Sequence, residues 1–262
     1  MSVGNGTYLD RIIAEHRVRA LADQRSVEQL FAEAVLLPET RGFRSSLSQP
    51  ALSVIAEIKR RSPSKGDLFV DLNPAVLARE YATGGAACIS VLTDEANFGG
   101  SQTDLEMARD AVKLPVLRKD FTVDERDVLD ARLMGADAVL LIVAALSKQE
   151  LERFFSLSGE LGLDALVETH DEAELETALE IGAELIGVNQ RNLITFEVDH
   201  ERAARMAELI PDDVIAVAES GVRGPADAAT LRQAGYAAIL VGETLVTSGD
   251  ATAAVAALRE AV

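Results

Sequence analysis

Residues 53–66, SVIAEIKRRSPSKG, carry an acid and a base two positions apart, Glu57 and Lys59, at the end of an apolar run. On a β-strand that spacing puts both side chains on one face. Further along, other apolar runs end in Thr93, Lys119, Glu168, Asn189, Glu219 with Ser220, and Gly242 with Glu243. A single charge at a strand end marks where solvent begins. Ionisable or amide groups at the ends of five or more strands differ, because burying them unpaired is costly. Their convergence favours a functional site over plain solvent-facing strand ends.

Two glycine-bearing segments, AESGVRGPAD and VGETLVTSGD, follow the last two apolar runs. Gly221 and Gly242 permit close approach of backbone to a ligand, and Glu243-Thr-Leu-Val can open a short helix whose amides face an anion. The competing reading gives these glycines only tight turns. A similar choice surrounds Lys59, Arg60, Arg61 and Lys65, four cations within seven positions. They read either as a solvated strand-end charge run or as a local field that draws an anionic substrate into one cleft.

The elements that must position these groups alternate along the chain. Strands are expected at Leu52–Lys59, Ala87–Leu92, Pro115–Lys119, Ala138–Val143, Ala165–Glu168, Leu185–Asn189, Val214–Glu219 and Ala237–Gly242. Seven helical stretches separate them, and Ala251–Ala261 supplies an eighth. The strands are apolar nearly throughout, as in a parallel sheet covered on both faces. A weak repeat (YATGGAACISV, RLMGADAVLLI, LEIGAELIGV, RQAGYAAILV) ends a helix on Gly and enters a strand at once. Glycine there suits the left-handed turn that closes a helix. Eight such units predict a single (β/α)8 TIM barrel spanning 1–262. A doubly wound open sheet is the alternative, but no Gly-x-Gly-x-x-Gly follows the first strand. Residues 1–50 are an added N-terminal helical extension. Leu9, Ile12, Ile13 and Leu21 recur at helical spacing, and Ser26-Val-Glu-Gln29 reads as a capping box opening a second helix with Leu30, Phe31, Ala34 and Val35 on one side. The extension is a lid over one barrel end or a packed arm.

Composition narrows the classes. A formal net charge of -18 argues against nucleic acid as a partner. The longest apolar run, Ala138–Leu146, is too short to span a membrane, and the N-terminus lacks signal-peptide character, so the expected location is cytoplasmic. Cys88 is the lone cysteine, precluding an internal disulfide, and reads as a core residue. His16, His170 and His200 lie far apart in sequence. His170 follows Glu168 closely, but no second ligand stands at metal-site spacing, so no metal is expected.

In order, IAEIKRRSPSKG, ISVLTDEANFGGS, PVLRKDF, ALVETH, IGVNQRNLITFEVD, AESGV and LVGETL resemble the successive motifs of the indole-3-glycerol phosphate synthases. The resemblance runs from about residue 52 to 247. The Glu-x-Lys-x-x-Ser-Pro-Ser and Lys-Asp-Phe stretches are its specific parts. Asp94 stands where the family more often has Glu, and Gln190 where it often has Asn. The resemblance implies a carbon–carbon lyase of tryptophan biosynthesis that works without a cofactor. Such an enzyme closes and dehydrates 1-(2-carboxyphenylamino)-1-deoxyribulose 5-phosphate to indole-3-glycerol phosphate with loss of CO2. It implies Lys119 as general acid beside the ketone oxygen, with Glu168 and the Glu57–Lys59 pair for the later proton transfers in an order left open. Asn189 would hold substrate hydroxyls. Lys59, Ser62 and Arg191 would compensate the substrate's charges, while Glu219, Ser220, Gly221, Gly242 and Glu243 line its site, the last four around the phosphate. Phe98, Phe121 and Leu140 resemble the family's apolar wall, with plain core packing as the other reading. Arg60, Arg61 and Lys65 steer the substrate or sit in solvent. Loose association with other enzymes of the pathway stays open. So do a Schiff-base aldolase using Lys119 or Lys59, and a non-catalytic barrel.

Overall fold

The computed structural model describes residues 7–63, 65–192 and 197–260. Ser64 and residues 193–196 of the quoted motifs lie outside that set. Eight parallel strands close a barrel in chain order: β1 Ser53–Ile58, β2 Cys88–Leu92, β3 Val116–Lys119, β4 Ala138–Ile142, β5 Asp164–Thr169, β6 Leu185–Asn189, β7 Ile215–Glu219 and β8 Ala238–Val241. Closure excludes the open-sheet alternative, and each strand lies within a residue or so of its expected position.

Eight helices cover the outside, from Pro74–Gly84 to Ala251–Glu260. Every glycine of the repeat's turns adopts positive φ: Gly85 at 89°, Gly135 at 85°, Gly182 at 79° and Gly235 at 107°. A side chain there would strain the backbone, so glycine sets how sharply each helix returns to the sheet.

Strand alternation divides the core in two. Val54, Ala56 and Ile58 pack outward beneath the helices, whereas Ile55 packs inside with Cys88, Leu117, Leu140, Leu166, Leu185, Val217 and Leu240. The polar strand-end groups continue the inward rows: Ile55 leads to Glu57 and Lys59, Leu117 to Lys119, and Leu166 to Glu168. Asn189 of β6 and Glu219 of β7 are direct partners across the parallel register.

The N-terminal segment touches both ends of the barrel. α1 (Tyr8–Ala22) begins with a capping box between Thr7 and Asp10 and lays Leu9 and Ile12 against the C-terminal mouth. α2 (Val27–Ala34) packs on the flank against the helix Glu125–Leu133. α3 (Phe43–Leu47) inserts Phe43 and Leu47, both fully buried, into the interior cluster. Three expectations for this segment need correction. Leu21 is 82% exposed and Val35 49%, so neither joins the buried stripe. Only half of the second capping box forms: the Ser26 side chain accepts from the Gln29 amide, but the Ser26 hydroxyl donates to Glu28.

Candidate active site

The C-terminal mouth holds a cavity of about 670 Å³. At its floor, Lys119 at the end of β3 places Nζ 2.9 Å from Glu168 Oε2 and 3.3 Å from Glu219 Oε2. Glu57 and Lys59 form an adjoining pair at 2.6 Å. Asn189 Nδ2 donates to Glu168 Oε1 at 3.1 Å, while the Asn189 Oδ1 accepts from the Arg191 amide at 3.0 Å. Glu57, Glu168 and Glu219 are all buried.

Burial and charge oppose each other in this cluster. Desolvation favours a neutral Lys119, but Glu168, Glu219 and Glu57 outweigh it and hold the side chain as an ammonium. Desolvation also pushes Glu168 upward, yet Lys119 and His170 pull it well below the usual carboxylate range. For Glu219, burial, reinforced by the charge of Glu168, prevails over Lys119 and raises the carboxyl. Neighbouring carboxyls pushed in opposite directions are a pattern suited to divided acid and base roles.

Two glycines make room for these groups. A Cβ on Gly187 of β6 would stand well under 3.0 Å from Glu219 Oε1 and 3.1 Å from its Cδ. At Gly242 a Cβ would meet Glu57 in the same way and come within 3.1 Å of Lys59 Nζ. Gly242 precedes a short helix, Glu243–Val246, and across the rim Ser220 and Gly221 take positive φ of 67° and 78°. A non-glycine residue in that conformation is strained, and such strain clusters at ligand clamps. Ser62 lines the cavity, its buried hydroxyl without a hydrogen-bond partner among the described residues, and Lys65 lies 3.7 Å from Glu243. Phe98 and Phe121 line one wall, ring centroids 6.1 Å apart, and Leu140 lines the floor while belonging to the interior core. Core packing thus holds for Leu140, which also lines the cavity.

All fifteen expected site residues line this one cavity. The basic cluster, however, divides. Arg60 is tied to Asp104 at 2.7 Å and to the Val70 and Leu72 carbonyls, and Arg61 donates to the Glu95 and Ala96 carbonyls. Neither lines the cavity, and neither sits free in solvent. Both fasten the loop after β1, leaving Lys59 and Lys65 at the mouth. The lining carries Lys59, Lys65, Lys119, Arg191 and Arg223 against Glu57, Asp120, Glu168, Glu219 and Glu243, five of each sign. The whole chain has 25 Lys and Arg against 43 Asp and Glu, so the mouth escapes the general negative charge.

Other participants were invisible as isolated residues. Tyr8, Leu9 and Ile12 of α1 roof the cavity, a lid position that helical spacing could not assign to an end of the barrel. His16 of α1 contacts Asp94 at 2.9 Å and Phe121 at a centroid distance of 5.2 Å, joining the roof to the apolar wall. Its Nε2 is 3.9 Å from Asp120, which is already engaged by Thr93 and Arg118. This cluster of possible metal ligands is assembled from three distant segments, which sequence spacing could not foresee. His170 stands 3.3 Å from Glu168, and a signal was available: positions 168 and 170 share strand parity.

Fold and site together define a (β/α)8 barrel with a cluster of paired carboxylates and lysines at the strand ends and a glycine-lined rim. The family model for indole-3-glycerol phosphate synthase matches residues 9–258. The chain belongs to that family, whose members act in tryptophan biosynthesis. It is 57% identical over 250 residues to an indole-3-glycerol phosphate synthase of a Nocardioides species, covering 94% of this chain and 96% of the relative. It is 51% identical over 234 residues to indole-3-glycerol phosphate synthase 2 of Streptomyces coelicolor, covering 89% and 90% respectively. Solved structures with similar folds include the N-acetylmannosamine-6-phosphate 2-epimerase of Clostridium perfringens (TM-score 0.62, 13% identity, covering 78% of this chain and 91% of that one). Another is a thiamine phosphate pyrophosphorylase of Pyrococcus furiosus (TM-score 0.61, 17% identity, 80% and 95%). These two speak for the fold alone. Among the described residues no helix is long and apolar enough to cross a membrane.

Proposed function

We propose that this cavity closes the indole ring of 1-(2-carboxyphenylamino)-1-deoxyribulose 5-phosphate, with Lys119 as the first acid. The observation that carries the proposal is the part-buried ammonium of Lys119 between Glu168 and Glu219, beside the Glu57–Lys59 pair. The aromatic carbon bearing the carboxylate attacks the ketone carbon, and the electron pair of the C=O bond moves to oxygen. Lys119 gives that oxygen its proton, a charge-stabilising transfer of the kind that needs a donor already in place. The bond to the carboxyl carbon then breaks, CO2 leaves, and its electron pair restores the aromatic ring. An apolar wall of Phe98, Phe121 and Leu140 favours this step, since the leaving carboxylate gives up its charge in a poorly solvated place. Dehydration follows. The Glu168 carboxylate takes a proton from the new five-membered ring, and Lys59, paired with Glu57, gives one to the departing hydroxyl.

Binding uses the rim. Backbone amides around Ser220, Gly221, Gly242 and Glu243 receive the phosphate, assisted by Ser62, Lys59 and Arg191. Asn189 and Glu219 hold the substrate hydroxyls in line with Lys119. A Schiff-base reaction would instead require a neutral lysine. The carboxylates around Lys119 work against that form.

The test is indole fluorescence on mixing the protein with this substrate, beside Lys119→Ala. The sequence contains no Trp, so the background is low. A signal lost in the variant supports the proposal. A signal retained moves the acid role to Lys59. No signal from either folded protein, with a lysine adduct trapped by borohydride, would overturn it in favour of Schiff-base chemistry.

A further inference from the structure

His170 has no part in the steps above, yet it is packed, part-buried, against the groups that take them. It follows β5, and its ring lies between two carboxylates. Nε2 is 3.3 Å from Glu168 Oε1, and Nδ1 is 3.0 Å from Glu174 Oε2 on the helix Glu172–Glu180. The His170 backbone amide also donates to Glu174 Oε2, at 2.8 Å, which fixes the loop beneath the ring. The Glu168 contact has ion-pair distance without full hydrogen-bond alignment. A neutral imidazole has only one N–H, so one of its two nitrogens would turn a lone pair toward a carboxylate. The doubly protonated ring suits both neighbours.

Glu168 therefore sits between two cations, Lys119 on Oε2 and His170 on Oε1. The two differ in what the reaction asks of them. Lys119 gives its proton to the substrate oxygen and becomes a neutral amine, leaving a buried carboxylate with one cation fewer at 2.9 Å. If Glu168 then took that proton back, ring closure would reverse or the base needed for dehydration would be spent. We infer that His170 is a positioning residue whose fixed imidazolium keeps Glu168 a carboxylate through the interval in which Lys119 is discharged. This rests on the roles given above to Lys119 and Glu168.

Burial alone would drive His170 toward its neutral form. Glu168 and Glu174 outweigh it and raise the group to about 10, so the cation persists across the working range. Among the described residues the charged groups facing the ring are Glu168 near the end of β5 and Glu174 on the following helix, with Lys119 of β3 behind Glu168. Glu174 is the more exposed anchor, its side chain 19% accessible against 4% for Glu168.

The sign of the consequence is fixed. Removing the imidazolium raises Glu168, so the acid limb of kcat must move to higher pH. An opposite charge at this distance shifts a carboxyl by roughly one to three units. The experiment compares pH profiles of kcat for the unmodified protein, His170→Gln and His170→Lys, with nitrogen NMR of the histidine rings. The Gln variant identifies the His170 resonance by its loss. The expected result is a doubly protonated His170 at pH 8, an acid limb raised by about one unit or more in His170→Gln, a largely unmoved KM, and partial return of the limb in His170→Lys. A lowering of kcat by the same factor at every pH, or a His170 that titrates near pH 6.5, overturns the inference. Glu168→Gln separates the two levels: if it turns over normally, the assignment of Glu168 as base fails and this inference with it. If it is inactive while the His170→Gln limb stays in place, only the inference about His170 fails.

Discussion

Replacing Gly187 by Ala tests whether the site depends on empty space as much as on charge. Gly187 lacks the positive φ that would itself penalise a side chain, so alanine fits the backbone. Restricting the unfolded chain would ordinarily make such a change stabilising by about 0.4–1 kcal/mol. The new methyl, however, meets Glu219 Oε1 well under 3.0 Å, Glu219 Cδ at 3.1 Å and Leu166 Cδ1 at 3.4 Å. An exposed carboxylate would swing aside. Glu219 is 2% exposed, and its other oxygen is held 3.3 Å from Lys119, so it moves only by loosening that pair. Overpacking of this kind costs about 1–3 kcal/mol. The clash therefore outweighs the entropic gain, for a net loss of about 1–2 kcal/mol. In a chain of this length that lowers Tm by roughly 2–8 °C. Displacing Glu219 by about an ångström also lowers kcat on the order of 10²-fold. The decisive assay is a double-mutant cycle in denaturant with Glu219→Ala, which removes the carboxylate that the methyl strikes. The penalty of Gly187→Ala should shrink by about 1 kcal/mol in that background. An equal penalty in both backgrounds, or a stabilised single variant, would refute the steric reasoning.

Gly242→Ala should crowd Glu57 and Lys59, raising KM for the phosphorylated substrate by about tenfold, roughly 1.4 kcal/mol of binding, and steady-state kinetics would show it. Asp94 is pulled from the usual carboxylate value to about 2: burial raises it, but hydrogen bonds from His16 and the Asn97 amide prevail. Its contribution is thus fully present above about pH 4 and lost as pH falls toward 2, so Asp94→Asn should lower stability by about 2 kcal/mol at pH 7 and by much less near pH 2. Denaturant melts across that range would check the sign. Cys88 is buried, and desolvation raises its thiol far above the ordinary range. A thiol-specific reagent at pH 8 should leave it unmodified in the folded protein and react on denaturation.

The fold was legible because each β/α unit repeats the same physics, an apolar strand, an amphipathic helix and a glycine turn. The strand-end residues were legible for a related reason. Period-two alternation makes Glu57 and Lys59 share a face whatever the barrel's detailed register, and closure then brings eight such faces to one mouth. What remained hidden depends on neighbours far apart in the chain. Gly187 looks like an ordinary weak spot in a strand until Glu219 of the adjacent strand is seen in its space. Arg60 looks like one cation of a strand-end run until Asp104, 44 residues on, is seen to pair with it. Helical spacing marked Leu21 as apolar but could not tell which face of α1 meets the barrel, and Leu21 is on the wrong one. His170 is the instructive case: its parity with Glu168 was readable, but its second carboxylate lies on the next helix.

The first helices grip a barrel that is synthesised after them. The Arg44 amide donates to Asp164, 120 residues later, and Arg17 pairs with Glu150, 133 residues later. During translation the segment that roofs the mouth and plugs the opposite end waits for these two partners until four of the eight strands have been made. Its apolar residues, Phe43 and Leu47 among them, stay without their cover for that interval. Long-range contacts of this kind slow folding, and the exposed surface invites chaperone binding or misassembly. The same chain order means that the residues roofing the cavity are made before every strand end they cover.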